Sequence, residues 1–226
     1  MQRTLFPTSA IVLLTLPWSP AIAHKRHFTF SYDWFTPYKN ERELELWWTQ
    51  NDHGNAVSMM EFEYGVTGKY VIAPYLIFEH RDGHSELHGW KVEHRIALGE
   101  FAFNRLLPGL YGEIKKEKDE PYEVELKLIT SYLPDQNWIL SSNLIAEREL
   151  ARGADWEWGY TFGVSRQIQR RFWLSTEAFG RLDEKEHGAG PAFVYDFVPG
   201  TRVTATYVIP LKGEVPRFRM IFAYEF

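Results

Sequence analysis

The chain has 226 residues, with 30 acidic against 25 basic side chains, a formal net charge of −5 and no cysteine. A cysteine-free chain is not a disulfide-stapled extracellular module, and a net-negative one without a clustered basic stripe is no nucleic-acid binder. Beyond the N-terminal segment no apolar run is long enough for a membrane helix. That excludes a helical membrane protein but not a barrel, whose alternating strands average to a weak hydropathy signal.

The first element is a leader. Residues 1–23 carry one early positive charge, Arg3, an apolar stretch around Ile11 to Leu16, and the small-residue site Ala21-Ile22-Ala23. This is the pattern of a cleavable secretory signal, and the apolar stretch is too short to span a bilayer. Residues 24–40 follow, containing the strand-like "HFTFSYDWFT" at 27–36. Strand-like runs then continue at 41–50, 56–65, 69–80, 87–98, 109–118, 121–132, 137–149, 155–167, 170–182, 188–197, 201–211 and 215–226. The intervening "NDHGN", "VTGK", "RDGHS", "LPDQ", "RGAD" and "VPGT" hold the Gly, Pro, Asn and Asp that turns require. Residues 99–109 are the least strand-like piece.

Regular strands with turns between them predict an all-β, antiparallel up-and-down barrel. Most runs reach ten residues or more, as tilted membrane strands do, whereas soluble strands are usually shorter. The parity agrees. Trp156, Trp158, Tyr160, Phe162 and Val164 share one face of their strand, and Glu157, Gly159, Thr161, Gly163 and Ser165 share the other. A soluble, periplasmic ligand-binding barrel would put the apolar face inside and remains the alternative. Thirteen runs conflict with the even strand number of bacterial barrels. Demoting 27–36 to a strap, or to a short first strand at the closure, leaves about 12 strands over 41–226, or 14 if 99–109 hides another. Counting back from the C-terminus puts the turns at 66–69, 99–109, 132–137, 167–170 and 197–201 on the periplasmic side. Those at 50–55, 81–87, 117–121, 150–155, 182–187 and 211–215 then face outward.

On these strands the polar faces give a charged set expected to line the lumen: Glu43, Glu45, Glu61, Glu63, Lys91, Glu93, Arg95, Glu113, Lys115, Glu123, Glu125, Lys127, Asn143, Glu147, Glu157, Thr161, Glu177, Arg202, Arg217 and Arg219. Its acidic excess favours cations over anions. In the hairpin "LYGEIKKEKDEPYEVELKLI", a register placing Lys115 against Glu125 would also place Glu113 against Lys127. "HRDGHSELHG" gathers His80, His84 and His88 near one outer turn, a weak set of metal ligands for which solvated surface histidines are the simpler reading. No other metal or cofactor signature is present, and none is expected.

The last ten residues, "RFRMIFAYEF", alternate to the end, with Phe222, Tyr224 and Phe226 on the apolar face. This resembles the C-terminal signature of bacterial outer-membrane barrels, which the barrel-assembly machinery reads; the resemblance implies an outer-membrane, lipid-embedded protein. More specific stretches are "EFEYGVTGKYVIAPYL" (61–76), "LPGLYGEIKKEKDEPYEVELKLI" (107–129) and "RRFWLSTEAFG" (170–180). They resemble the outer-membrane transporter family named for the MetA-pathway of phenol degradation. That resemblance implies a channel or transporter for a small solute and supplies no catalytic residues. An outer-membrane enzyme and a structural or adhesive barrel without transport stay open as alternatives.

Overall fold

The computed structural model describes residues 26–51, 55–182, 186–213 and 215–226; the leader at 1–23 lies outside the described residues. The strands are β1 (Arg42–Gln50), β2 (Ala56–Thr67), β3 (Tyr70–Arg81), β4 (His84–Ala97), β5 (Leu106–Glu117), β6 (Tyr122–Tyr132), β7 (Trp138–Glu149), β8 (Glu157–Gln169), β9 (Phe172–Arg181), β10 (Glu186–Val198), β11 (Thr201–Tyr207), β12 (Ile209–Lys212) and β13 (Phe218–Glu225). Every pairing is antiparallel, and β11 pairs with β10 and β13 while β13 also pairs with β1, so the sheet closes into a barrel.

β11 and β12 are one stave interrupted at Val208, which makes a 12-strand barrel with one extra strand segment. The ladder to β10 holds at Ala192↔Thr206 and resumes at Ala189↔Ile209. Between them stands Pro191, which has no N–H to donate. The segment 99–109 adds no strand pair: residues 98–105 are irregular, and its last residues simply begin β5.

Alternation sets the two surfaces. Leu46, Met60, Phe62, Leu76, Leu110, Leu126, Leu128, Leu144, Trp158, Phe162 and Leu174 point outward and are exposed, while Glu45, Glu61 and Glu93 are 0% exposed on the inside. This partition is the reverse of a soluble ligand-binding barrel and matches a barrel whose outer wall meets lipid. The turns sort into the two sets that the sequence predicts, with the C-terminus at the end that holds residues 66–69. One turn is tighter than expected. Asp82 (φ 51°) and Gly83 (φ 77°) alone join β3 to β4, in place of a loop over 81–87. Two successive residues at positive φ give the hairpin turn that an Asp-Gly pair favours.

Residues 26–41 form no strand. They enter the barrel at the C-terminal end and run inside it as a strap, with Arg26, His27, Phe28, Thr29, Ser31, Tyr32, Asp33, Trp34 and Thr36 all buried. Phe28 and Trp34 pack with Ala97, Leu107, Leu133, Ile139, Trp173 and Val194 into an apolar cluster. Gly163 makes room for Phe28, since a Cβ there would stand 2.5 Å from the ring. Burying a side chain of this size contributes about 1.5–3 kcal/mol.

Candidate functional site

The strap meets the barrel through side chains that stand in for a ladder. Glu177, on β9, takes the N–H of Thr29 (2.8 Å) and the hydroxyls of Thr29 (3.0 Å) and Thr206 (2.7 Å) on one carboxylate oxygen. Its other oxygen takes the N–H groups of Phe30 (2.8 Å) and Ser31 (3.0 Å). Three successive backbone donors thus converge on one buried carboxylate. Asn143, on β7, treats Tyr32 as a strand neighbour would: its Oδ1 accepts from the Tyr32 N–H at 2.7 Å and its Nδ2 donates to the Tyr32 carbonyl at 2.9 Å. Thr161 donates to the same Oδ1 at 2.9 Å and fixes the amide orientation. Ser131 accepts from the Trp34 N–H at 2.9 Å, and Ser141 donates to the Tyr32 carbonyl at 2.6 Å.

Below this latch lies a cage of acids. Ligand atoms of Glu45, Glu61 and Glu63 lie within 4.8 Å of one another. The strap's Arg26 sits among them, with its nitrogens 3.4 Å from Glu45, 3.9 Å from Glu61 and 3.5 Å from Glu63. Its guanidinium lies 4.3 Å from the Tyr32 ring centre and 4.6 Å from that of Trp47, within the range of cation–π attraction. The barrel also holds the cage from outside. Trp47 donates to Glu61 at 3.0 Å, Arg95 bonds Glu63 and lies 2.6 Å from Glu93, and Glu93 accepts from the hydroxyls of Tyr32 (2.8 Å) and Tyr75 (2.7 Å). Beside it, Lys91 bonds Glu113 at 2.7 Å, and Lys127 pairs with Glu125 at 2.9 Å against the rings of Tyr32 and Tyr111. In the strap, burial holds the His27 imidazole below its ordinary pKa and Arg202 pushes the same way, against the pull of Asp33 at 3.3 Å.

On the other side of the strap, toward the far rim, is a cavity of about 370 Å³. Its lining includes Phe30 and Arg219, with Glu125, Lys127, Glu147, Glu157 and Arg181 around them. Phe30 is clamped between Phe179, stacked at 4.1 Å, and the Arg219 guanidinium at 4.1 Å. Among the described residues the buried charges are eight acidic against five basic, His27 aside.

None of the twenty charged or polar residues predicted for the interior is exposed. Glu43 lies opposite Glu63 and Glu225, Arg202 pairs with Asp196 at 2.8 Å, and Arg217 sits just before β13. The predicted hairpin register is wrong by two residues. Lys115 lies opposite Glu123 and bonds it at 2.7 Å, whereas Glu113 lies opposite Glu125. Both registers keep every side chain on its face, so parity could not choose between them. The histidines do not assemble. His80 lies opposite Ala56 and Ser85 in the ladders and spends its two ring nitrogens on Ser58 (2.7 Å) and Ser85 (2.8 Å); His84 is exposed at the start of β4. His88 instead joins Glu79 and Glu86, whose carboxylates also meet Arg81 and Lys118. The strap's contribution, above all Arg26, Thr29 and Tyr32, was invisible in the sequence. Its only signal there was "HFTFSYDWFT", a strand pattern that the even strand number leaves over.

No family model and no curated protein matches the chain. Solved structures do. The KdgM porin in complex with disordered oligogalacturonate superposes with a TM-score of 0.67 at 6% identity, covering 81% of this chain and 99% of that one. The NanC porin gives 0.59 at 11% identity, covering 82% and 98%. An outer-membrane channel from Pseudomonas putida F1 gives 0.58 at 10% identity, covering 85% and 97%. At such identities the likeness is one of fold.

Proposed function

We propose that this protein is an outer-membrane channel for small solutes that stands closed by its own N-terminal strap and, once open, favours cations. One observation carries the reading. A closed barrel with a lipid-type outer wall has its charged interior occupied by a segment that belongs to no strand and is held there by side-chain hydrogen bonds, ion pairs and packing. A segment outside the ladder can leave without unmaking the barrel, so the strap is the natural gate. The acid-rich interior supplies the preference for cations. It does not suit a carboxylate-rich chain such as the oligogalacturonate held by KdgM. The stretches similar to the MetA-pathway transporter family agree with a solute channel, while the leader and the outward Phe222, Tyr224 and Phe226 agree with export and barrel assembly. The test is planar-bilayer recording of the refolded mature chain. Discrete openings with a cation-selective reversal potential support the proposal. A folded, heat-modifiable barrel that never conducts, with or without its strap, refutes it and leaves a structural barrel.

A further inference from the structure

The acid cage is richer than its occupant requires. Arg26 meets three carboxylates at 3.4 to 3.9 Å, longer than the ~2.7–2.9 Å of a well-made charge-assisted bond. Its Nε and Nη1 find no hydrogen-bond acceptor among the described residues. A small void of about 10 Å³ adjoins it, room for roughly one water. The walls do not depend on the strap. Trp47 fixes Glu61 and Arg95 fixes Glu63, all four on the barrel, so the carboxylates are pre-set before any cation arrives. Glu45 is 0% exposed, and the strap's Arg26 is the cation it pairs with. When the strap leaves, Glu45, Glu61 and Glu63 lose the guanidinium they share, and the indole face of Trp47 that Arg26 covers is freed beside them.

We infer that Glu45, Glu61, Glu63 and Trp47 form a binding site for the guanidinium or alkylammonium group of an organic cation, and that Arg26 is a tethered surrogate for that group. The inference rests on the channel reading above and names its solute class. Planar donors meet the carboxylates while the cation's face meets the indole, so a guanidinium fits better than a spherical metal ion. A cation that binds here competes with Arg26 and favours the open strap, which couples solute to gate.

The test uses methylguanidinium as the probe, titrated calorimetrically into the refolded full mature chain carrying Arg26→Ala. Arg26→Gln, closer in volume, serves as a second variant if the first does not refold. Saturable binding is expected, weakened about tenfold or more when Glu45→Gln and Glu61→Gln are added, because each removes an acceptor for a charged donor. Tetramethylammonium, which has no N–H, should bind more weakly than methylguanidinium. Calorimetric heat that does not saturate, or saturable binding that ignores both glutamine substitutions, overturns the inference. Bilayer recordings on the same sample separate the two claims. Binding without conductance keeps the site and removes the channel reading, whereas conductance without saturable binding keeps the channel and removes the site.

Discussion

Glu177→Gln is the most informative single substitution. The side chain keeps its size, so no cavity opens, but one acceptor oxygen becomes an NH2 group facing donors. Whichever way the amide turns, backbone donors lose an acceptor: Thr29 N–H, now at 2.8 Å, in one orientation, or Phe30 and Ser31 N–H, now at 2.8 and 3.0 Å, in the other. Leaving a buried donor unsatisfied costs about 1–3 kcal/mol, so the docked strap loses roughly 1–6 kcal/mol. The neighbouring cavity can admit water to these groups, which sets the expectation near the lower end, about 2–3 kcal/mol. The undocked population should then rise by about 30-fold or more. The chain has no cysteine, so a single Ser31→Cys reports on the strap. Ser31 is 0% exposed, and a membrane-impermeant thiol reagent reaches it only when the strap is out. The labelling rate should rise about 30-fold in the Glu177→Gln background, while heat-modifiable migration is unchanged because the strand ladder is intact. Equal labelling rates in the two backgrounds would refute the latch.

Gly163→Ala places a methyl group 2.5 Å from the Phe28 ring; it should raise Ser31→Cys labelling, and an unchanged rate would show that Phe28 does not seat the strap. A double-mutant cycle on Lys115 and Glu123 should give a coupling of about 0.2–1 kcal/mol, with a smaller value for Lys115 and Glu125; the reverse order would favour the other register. Acid should loosen the strap. The docked His27 binds its proton less readily than the free one, so its contribution to docking is complete above the ordinary value of about 6.5 and is lost as pH falls through the lowered one. Labelling of Ser31→Cys, taken relative to a freely exposed thiol at the same pH, should accelerate as pH drops below about 6.5, and His27→Asn should blunt that rise; identical pH profiles would exclude His27 as the titrating group.

The barrel was legible because lipid outside and charge inside impose a period of two on every stave. The run from Trp156 to Ser165 alone announced both faces. Even strand number then demoted 27–36 to a strap or a short first strand, although it alternates as well as any strand. Register was not legible: sliding β6 by two residues against β5 preserves parity and still sets lysine against glutamate. The hairpin at Asp82-Gly83 was read too loosely, because "HSEL" lacks the apolar alternation that marks a strand. The strap's partners were beyond reach for another reason. Glu177 lies about 150 positions from Thr29, and nothing local distinguishes a glutamate that caps three N–H groups from one that faces water. The inward parity of Glu45, Glu61 and Glu63 was visible, but the guanidinium they share comes from a segment outside the ladder.

If residues 26–36 close a cation-favouring barrel, their removal must open it. Single-channel recording of the refolded chain 24–226 beside the same chain lacking residues 26–36, in asymmetric potassium chloride, reads this out. The account predicts long closures in the full chain, together with a larger, steady and cation-selective conductance in the deletion. Identical conductance and selectivity in the two chains, with both barrels heat-modifiable, would contradict it.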